Sequence, residues 1–167
     1  MDKAIFEKYI EEMRKMSSKA LPIASEEAVV PTVAEPVQDM SGEGYLLVNV
    51  TSIRGLYPVA NAQITIFKGN IDDMEKVAEG ISDENGKTEL FALPAPPLSL
   101  AQEPENQIPP FAIYNILTHA DGFIDTINYN APVFDKVTSI QNVNLIPKTS
   151  MNGDETTVID EYNSYTL

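Results

Sequence analysis

The chain has 167 residues, with 25 Asp and Glu against 11 Lys and Arg, a net charge of -14 at pH 7 and a pI near 4.3. This charge argues against a nucleic-acid binder, because neutralising phosphates requires clustered Lys and Arg, and it disfavours anionic membrane surfaces for the same reason. The absence of cysteine excludes disulfides, thiolate metal sites and cysteine nucleophiles. The length fits one domain with additional segments.

Residues 1–21 predict an amphipathic helix, because apolar side chains recur there at spacings of three and four. The apolar stripe consists of Phe6, Tyr9, Ile10, Met13 and Met16. Two alternatives remain open: the stripe packs on the chain's own domain, or it binds a partner protein or a second copy. The segment has no continuous apolar stretch, which predicts synthesis in the cytoplasm without a signal peptide.

Residues 22–43 predict a flexible linker. Pro22, Pro31 and Pro36 interrupt any regular element, and the segment contains five acidic residues and no Lys or Arg. Its most apolar part, AVVPTVAEPV, is expected to be extended, with the possibility that it follows the edge of a sheet.

From Gly44 the hydrophobic period changes from helical to two. Apolar and polar residues alternate in YLLVNVTS, NAQITIF, AIYNILTHADGF and SIQNVNLIP, with turn residues between the runs. No helical pattern interrupts them, so the sequence predicts a mainly β domain over residues 44–147, an antiparallel sandwich of about seven strands. The inward positions are predicted to be Leu46, Val48, Val50, Ala62, Ile64, Ile66, Tyr114, Ile116 and Thr118, followed by Ile140 or Val143 and by Leu145.

The segment SDENGKTELFAL, residues 82–93, raises the question of a calcium site. A calcium loop of the EF-hand type needs oxygen ligands at alternate positions and a late bidentate Glu, whereas here strand periodicity resumes directly after Gly86. Asp-Glu-Asn-Gly instead suits a hairpin loop in which Gly86 takes a left-handed conformation. The sequence therefore predicts a hairpin and no metal site.

The runs GYLLVNVTSIRGLYPVANAQITIF, SDENGKTELFAL and YNILTHADGFID resemble the prealbumin-like sandwich modules related to the carboxypeptidase regulatory domain. The order of DENGKTELFALPAPPLSLAQ, YNILTHADGF and VTSIQNVNLIP is similar, more narrowly, to the module found ahead of peptidoglycan-binding and hydrolase domains in clostridial spore cortex-lytic-like proteins. The resemblance covers residues 44–147. It implies an accessory module for binding, spacing or assembly, because residues 148–167 form a polar acidic tail in which no hydrolase sequence is recognised.

No catalytic constellation emerges from the sequence. His119 is the single histidine, it stands just before a turn with Asp121 two residues on, and no nucleophile-elbow motif accompanies it. A histidine at the end of a strand is ordinarily a surface or turn residue. We therefore expect no enzyme activity, no cofactor and no metal.

Residues 94–111, PAPPLSLAQEPENQIPPF, form an unusually long connection with six prolines. Either its apolar side chains, among them Leu98 and Leu100, anchor it to the sheet, or it presents a preorganised binding surface. Tyr57 and Tyr129 are the aromatic residues proposed to stack on a sugar. The candidate partner surface thus comprises Phe6, Tyr9, Ile10, Met13, Leu98, Leu100, Tyr57 and Tyr129.

Two classes of function follow. The favoured one is a non-catalytic structural or interaction module, in spore or cell-envelope assembly or accessory to a cortex-lytic hydrolase, with a protein partner and an association with spores. The alternative is a carbohydrate-binding module that recognises peptidoglycan. An aromatic content of 8% and the absence of Trp weigh against the alternative, because sugar-binding platforms usually depend on such rings.

Overall fold

A computed structural model of the chain describes residues 39–69, 74–106, 108–149 and 156–161. The predicted helix of residues 1–21, with Phe6, Tyr9, Ile10 and Met13, lies outside these residues, as do most of the predicted linker and most of the acidic tail. Within the described part of the chain, no helix has the length and apolarity that crossing a membrane requires.

The described residues form nine strands and one short helix. The strands are β1 (Gly42–Ser52), β2 (Tyr57–Pro58), β3 (Gln63–Lys68), β4 (Glu75–Ile81), β5 (Phe91–Ala95), β6 (Ala112–His119), β7 (Thr126–Val133), β8 (Thr138–Leu145) and β9 (Thr157–Asp160), and a 3-10 helix covers Leu98–Gln102. The mainly β prediction is confirmed.

The strands form two sheets that enclose one core. Sheet A contains β2, β1 and β5 in that order, and β8 also pairs with β1. Sheet B has the order β4, β3, β6, β7, β9. A single hydrophobic cluster draws side chains from both sheets, so the architecture is a β-sandwich.

The prediction of a purely antiparallel, seven-stranded sandwich needs correction. Tyr45–Ser52 of β1 runs parallel to Thr138–Leu145 of β8, and Thr126–Tyr129 of β7 runs parallel to β9, although the other pairings are antiparallel. The period of two identifies a strand and its buried face but contains no information about which strand it pairs with or in which direction. Strands β7 and β8 are consecutive in sequence yet belong to different sheets, which brings β8 beside β1 in the same direction.

The predicted inward faces are confirmed. The side chains assigned to the core on β1, β3 and β6, including Val48, Ile66 and Ile116, are buried in the structure. On β8 the two alternatives resolve in favour of Val143 and Leu145, which are fully buried, whereas Ile140 is 63% exposed on the opposite face. Burial on the core side therefore follows the sequence alternation.

Sheet B departs from this simple alternation because its outer face is apolar and buried too. Phe67, Leu117 and Ile127 point away from the core and are at most 3% exposed. In β6 nearly every residue is buried, regardless of the face to which it points. In the sequence, a strand that is covered on both faces is an almost continuous apolar run. The alternation of apolar and polar residues then identifies only one of its two buried faces.

The turn at residues 82–87 has the predicted local geometry, but the two strands that it connects do not pair with each other. Gly86 has a φ of +76°, and its N–H donates to the carbonyl of Asp83. The flanking strands β4 and β5 do not pair with each other, because β4 belongs to sheet B and β5 to sheet A. The predicted hairpin is therefore wrong, and the turn is a crossing from one sheet to the other.

Candidate protein-binding groove

A groove of about 660 Å³ opens where the chain crosses between the two sheets. One wall is the end of β4 and the other is the segment that leads into β5. Its lining residues are Glu79, Gly80, Ile81, Ser82, Asp83, Lys87, Thr88, Glu89, Leu90 and Phe91. We call this feature the β4 groove.

Hydrogen bonds to β1 and to the connection between β2 and β3 hold the two walls of the β4 groove. Ser82 donates its N–H to Ala62 O at 3.0 Å, and its hydroxyl donates to Val59 O at 2.8 Å. On the opposite wall, Thr88 donates its N–H to Val48 O at 3.0 Å, and its Oγ1 accepts the N–H of Val48 at 3.0 Å. The groove is therefore part of the folded framework.

The floor of the groove is formed by Phe91. Its ring packs against the hydrophobic core and lies over Gly80, the one residue of β4 that has no side chain to occupy this place. Gly80 is opposite Ile64 on β3, so it faces the interior of the sandwich. A glycine in a strand often marks such a close approach, and here the approaching group is an aromatic ring.

Strand β4 is an edge strand within the described part of the chain. Among the described residues it pairs with β3 alone, and this pairing contains a bulge between Ile66 and Phe67. An edge strand has main-chain N–H and C=O groups that point away from its sheet and can pair with another chain. The bulge and the charged residues on β4 are devices that limit nonspecific pairing along such an edge.

Apolar side chains flank the floor of the groove at its solvent side. Ile81 is 61% exposed and Leu90 is 56% exposed, while Phe91 between them is half-buried. Exposed apolar residues that cluster beside an open strand edge are typical of a protein-binding surface.

The charge of the lining is predominantly negative, with Glu79, Asp83 and Glu89 against Lys87. A hydrogen bond from Lys76 lowers the pKa of Glu79. The backbone N–H of Lys87 lowers the pKa of Asp83, whose Oδ1 also accepts the N–H of Asn85 at 2.8 Å. Both carboxylates are thus ionised at neutral pH, and they favour a partner with basic side chains.

Of the side chains proposed from the sequence, four belong to the described residues, and none of these four lines the groove. Tyr57 is 60% exposed on β2 of sheet A. Tyr129 lies on β7 of sheet B, where burial raises its pKa and its buried hydroxyl has no hydrogen-bond partner. Leu98 is exposed and Leu100 half-buried, both in the 3-10 helix. The sequence signal for the groove was the pair Leu90–Phe91 directly after a polar turn.

The proline-rich connection is fixed by its own hydrogen bonds and packing. Leu98 N–H donates to Asp135 Oδ2 at 3.0 Å, and the Asn106 side chain donates to the carbonyls of Leu100 and Ile108 at 2.8 Å each. The ring of Phe111 packs against that of Phe134, with centroids 5.5 Å apart. These contacts favour the anchored alternative for this segment.

His119 pairs with a residue that the sequence did not single out. Its Nδ1 lies 2.6 Å from Asp125 Oδ1, whereas Asp121 had been the candidate. The turn between β6 and β7 brings these two side chains together.

In the described part of the chain, no group of three or more His, Asp or Glu residues is arranged to hold a metal ion.

The chain matches no family model and no curated protein. Among solved structures it is similar to the catechol 1,2-dioxygenase of Pseudomonas arvilla C-1, with 12% identity over 72% of this chain and 57% of that chain and a TM-score of 0.44. The Bacillus anthracis TIE protein is 11% identical over 64% of this chain and 17% of its own, with a TM-score of 0.42. Transthyretin from Sparus aurata, a prealbumin, is 15% identical over 62% of this chain and 90% of its own, with a TM-score of 0.36.

These likenesses concern the fold alone. The chain spans 57% of the length of the dioxygenase and 17% of that of the TIE protein, so the activities of those whole proteins do not transfer to it. The predicted sandwich is present, and a prealbumin is among the similar chains. The narrower resemblance to clostridial cortex-lytic proteins stays a proposal.

The prediction that this chain is not an enzyme is corrected at this point. Catechol 1,2-dioxygenases are among the solved structures similar to this chain, and this finding contradicts the prediction. A shared fold does not establish an activity either, because function depends on the site that a fold carries. The non-catalytic assignment is therefore withdrawn.

Proposed function

We propose that this chain is a protein-interaction module that binds an extended segment of a partner along β4. The observation that carries the proposal is the position of β4 at the edge of its sheet, as formed by the described residues, beside a groove that has apolar side chains at its floor and rim. An added strand would hydrogen-bond to the main chain of β4, with the side chains of one of its faces toward Phe91 and those of the other face toward Ile81.

The lining chemistry specifies the partner segment. Glu79 and Glu89 favour Lys or Arg, and the exposed rim residues Ile81 and Leu90 favour aliphatic side chains. Glu79 and Ile81 are two residues apart on β4, so their side chains lie on the same face of the strand. An extended segment in which pairs of basic residues alternate with pairs of aliphatic residues places both kinds of side chain on each of its faces and so satisfies both requirements. The net charge of -14 also speeds the encounter with a basic partner at low salt.

The setting in which this interaction occurs follows from the sequence resemblance and belongs to the same proposal. We propose a role in spore or cell-envelope assembly, with a cortex-lytic hydrolase or an envelope protein as the partner class. Peptidoglycan binding through the exposed Tyr57 is the alternative.

Deleting residues 1–21 separates the two alternatives for the N-terminal helix. A helix that binds a partner affects association when it is deleted, whereas a helix that is part of the fold affects the melting temperature.

The experiment uses a defined probe, the Lys–Val peptide, a fluorescent peptide of about eight residues in which pairs of Lys alternate with pairs of Val. We expect the full chain to bind this peptide and to bind the matching Glu–Val peptide at least about tenfold more weakly, which corresponds to about 1.4 kcal/mol. Ile81→Lys should abolish binding of the Lys–Val peptide. Ile140→Lys is the matched control, because Ile140 is 63% exposed but lies on β8, and it should leave binding unchanged. Equal binding by the two single variants contradicts the proposal.

A further inference from the structure

Three polar side chains occupy neighbouring positions on the core side of sheet B, where β6 and β7 pair. Thr118 on β6 is opposite Thr126 on β7, and Asn128 follows Thr126 by two residues, so the three side chains lie on one face. Thr118 is also opposite Ile64 of the hydrophobic core, so this face is the interior of the sandwich. All three polar residues are fully buried. We call them the β6–β7 polar cluster.

Two oxygen atoms of the cluster, Thr118 Oγ1 and Asn128 Oδ1, have no hydrogen-bond partner among the described residues. The amide nitrogen of Asn128 donates to Glu161 Oε1 at 2.6 Å. Because a carboxylate oxygen is an acceptor, this contact fixes the orientation of the amide and leaves its oxygen as the atom without a partner. Buried polar groups are nearly always hydrogen-bonded, so the two oxygens indicate a ligand that supplies both bonds.

The relative position of the two oxygens suits a bridge by a single small molecule. Asn128 is opposite Ile116, which makes Thr118 and Asn128 diagonal neighbours across the pairing of β6 with β7. Diagonal neighbours on one face have Cα atoms about 7–8 Å apart and Cβ atoms somewhat closer, which leaves their side-chain oxygens closer still. A water molecule that makes two hydrogen bonds of about 2.8 Å each spans the distance that remains.

Thr126 supplies the third partner that such a water needs. Its hydroxyl donates to Ile124 O at 3.5 Å, and its oxygen can still accept a hydrogen bond. The donors and acceptors then match: Thr118 donates to the water, and the water donates one hydrogen to Asn128 Oδ1 and the other to Thr126 Oγ1. Three hydrogen bonds are typical of a buried water in a protein.

The size of the side chains in the cluster leaves space for this molecule. Ile64 and Ile116 occupy the adjoining core positions, and Thr118 and Thr126 each have one heavy atom fewer than these isoleucines. Protein interiors are closely packed, so polar space of this kind is ordinarily occupied by water.

We propose that the β6–β7 polar cluster binds one internal water molecule, which bridges Thr118, Thr126 and Asn128 and is part of the folded structure. The cluster is closed to solvent and contributes hydroxyl and amide groups without a charge, which is the chemistry of a water site. The water connects β6 to β7 and holds the amide of Asn128 in the orientation that its bond to Glu161 requires. The proposal is independent of the β4 groove.

The sign of one substitution tests the proposal. Thr118→Val removes the hydroxyl and keeps the branched shape of the side chain. If the water is bound, the variant loses one of the hydrogen bonds of the site, and the melting temperature of the full chain should fall by about 2–4 °C. Without the water, the same substitution removes a buried hydroxyl that has no partner, and the melting temperature should rise.

Thr88→Val is the matched control, because Thr88 is also buried and its Oγ1 accepts the N–H of Val48 at 3.0 Å. This variant loses a known hydrogen bond, and its melting temperature should fall. A fall for Thr88→Val combined with an equal or higher melting temperature for Thr118→Val overturns the proposal.

A crystal structure of the full chain detects the water itself. The wild-type electron density should contain a water within about 3.2 Å of both Thr118 Oγ1 and Asn128 Oδ1. In crystals of Thr118→Val the density of this water should be weaker or lost, because one of its partners is removed. Wild-type density without a water between these two atoms overturns the proposal, whatever the melting temperatures show.

Discussion

The ring of Phe91 on β5 lies so close over Gly80 on β4 that a Cβ atom on Gly80 would stand 2.7 Å from Phe91 Cζ. This contact joins the edges of two different sheets and forms the floor of the β4 groove. The position of the ring thus decides both the closure of the core on this side and the shape of the proposed binding surface.

The first prediction tests this contact by a double-mutant cycle. Gly80→Ala should destabilise the domain by about 1–3 kcal/mol, because the added methyl group displaces the ring of Phe91. In a Phe91→Ala background the same substitution should cost much less, since the displaced group is absent. Urea unfolding of the four proteins gives the coupling energy. Additive effects would show that the two residues do not contact each other.

The second prediction concerns the turn. A Cβ on Gly86 would stand 2.2 Å from the carbonyl oxygen of Val50, in addition to the strain of a positive φ. Gly86→Ala should therefore destabilise the domain by more than the roughly 1–3 kcal/mol expected of backbone strain alone. Gly55→Ala is the matched control, because Gly55 has a φ of +85° and open space around it. Similar melting temperatures for the two variants would contradict the packing argument.

The third prediction is that the turn at residues 82–87 does not bind calcium. Asp83 Oδ1 accepts the backbone N–H groups of Asn85 and Lys87, both at 2.8 Å, which is a turn-forming role for this carboxylate. We expect millimolar calcium to leave the melting temperature unchanged, and Asp83→Asn to lower it less than Gly86→Ala does. A calcium-dependent rise in melting temperature that Asp83→Asn abolishes would establish a metal site here.

The fourth prediction concerns Asp135, whose carboxylate connects the proline-rich connection to β1. Oδ2 accepts the N–H of Leu98, which is the main cause of its lowered pKa, and Oδ1 accepts the N–H of Glu43 at 3.1 Å. A folded-state pKa below the unfolded value of about 3.9 adds stability above that pH and loses it as the pH falls through the folded value.

Asp135→Asn should therefore lower the melting temperature at pH 7, because an amide has one acceptor oxygen for two N–H donors. The difference between the wild type and the variant should shrink as the pH falls from about 4 through the lowered folded-state pKa, at which the carboxyl of the folded wild type becomes protonated. Thermal denaturation between pH 2 and pH 7 measures this, with Asp39→Asn as the control at an exposed carboxyl. A difference in melting temperature that is constant with pH would contradict the assignment.

The sequence predicted the core better than the topology. Alternation on β1, β3 and β6 identified the buried side chains, because a core-facing strand must place every second residue in an apolar environment. The same pattern did not predict the parallel pairing of β1 with β8, because this pairing depends on where the chain crosses between the two sheets. Strand β4 has few buried residues and was missed, since an exposed edge gives little apolar periodicity.

The β4 groove could not be predicted from the sequence, because it depends on how the strands are distributed between the two sheets. The groove combines residues of β4 with residues that precede β5, and these strands become the edges of different sheets only after the chain crosses at Gly86. Reading residues 82–93 as a hairpin placed the two walls in one sheet and left no groove between them. Leu90 and Phe91 were visible in the sequence, but their partner Gly80 had no signal of its own.

The most direct test of the β4 groove is hydrogen–deuterium exchange of the full chain with and without the Lys–Val peptide. If the peptide adds a strand to β4, amide protons in Glu75–Ile81 should exchange more slowly, because those that pointed to solvent gain main-chain acceptors. Protection should be absent with the Glu–Val peptide. Binding of the Lys–Val peptide without added protection of β4, or with protection confined to β2 around Tyr57, would contradict strand addition at this edge.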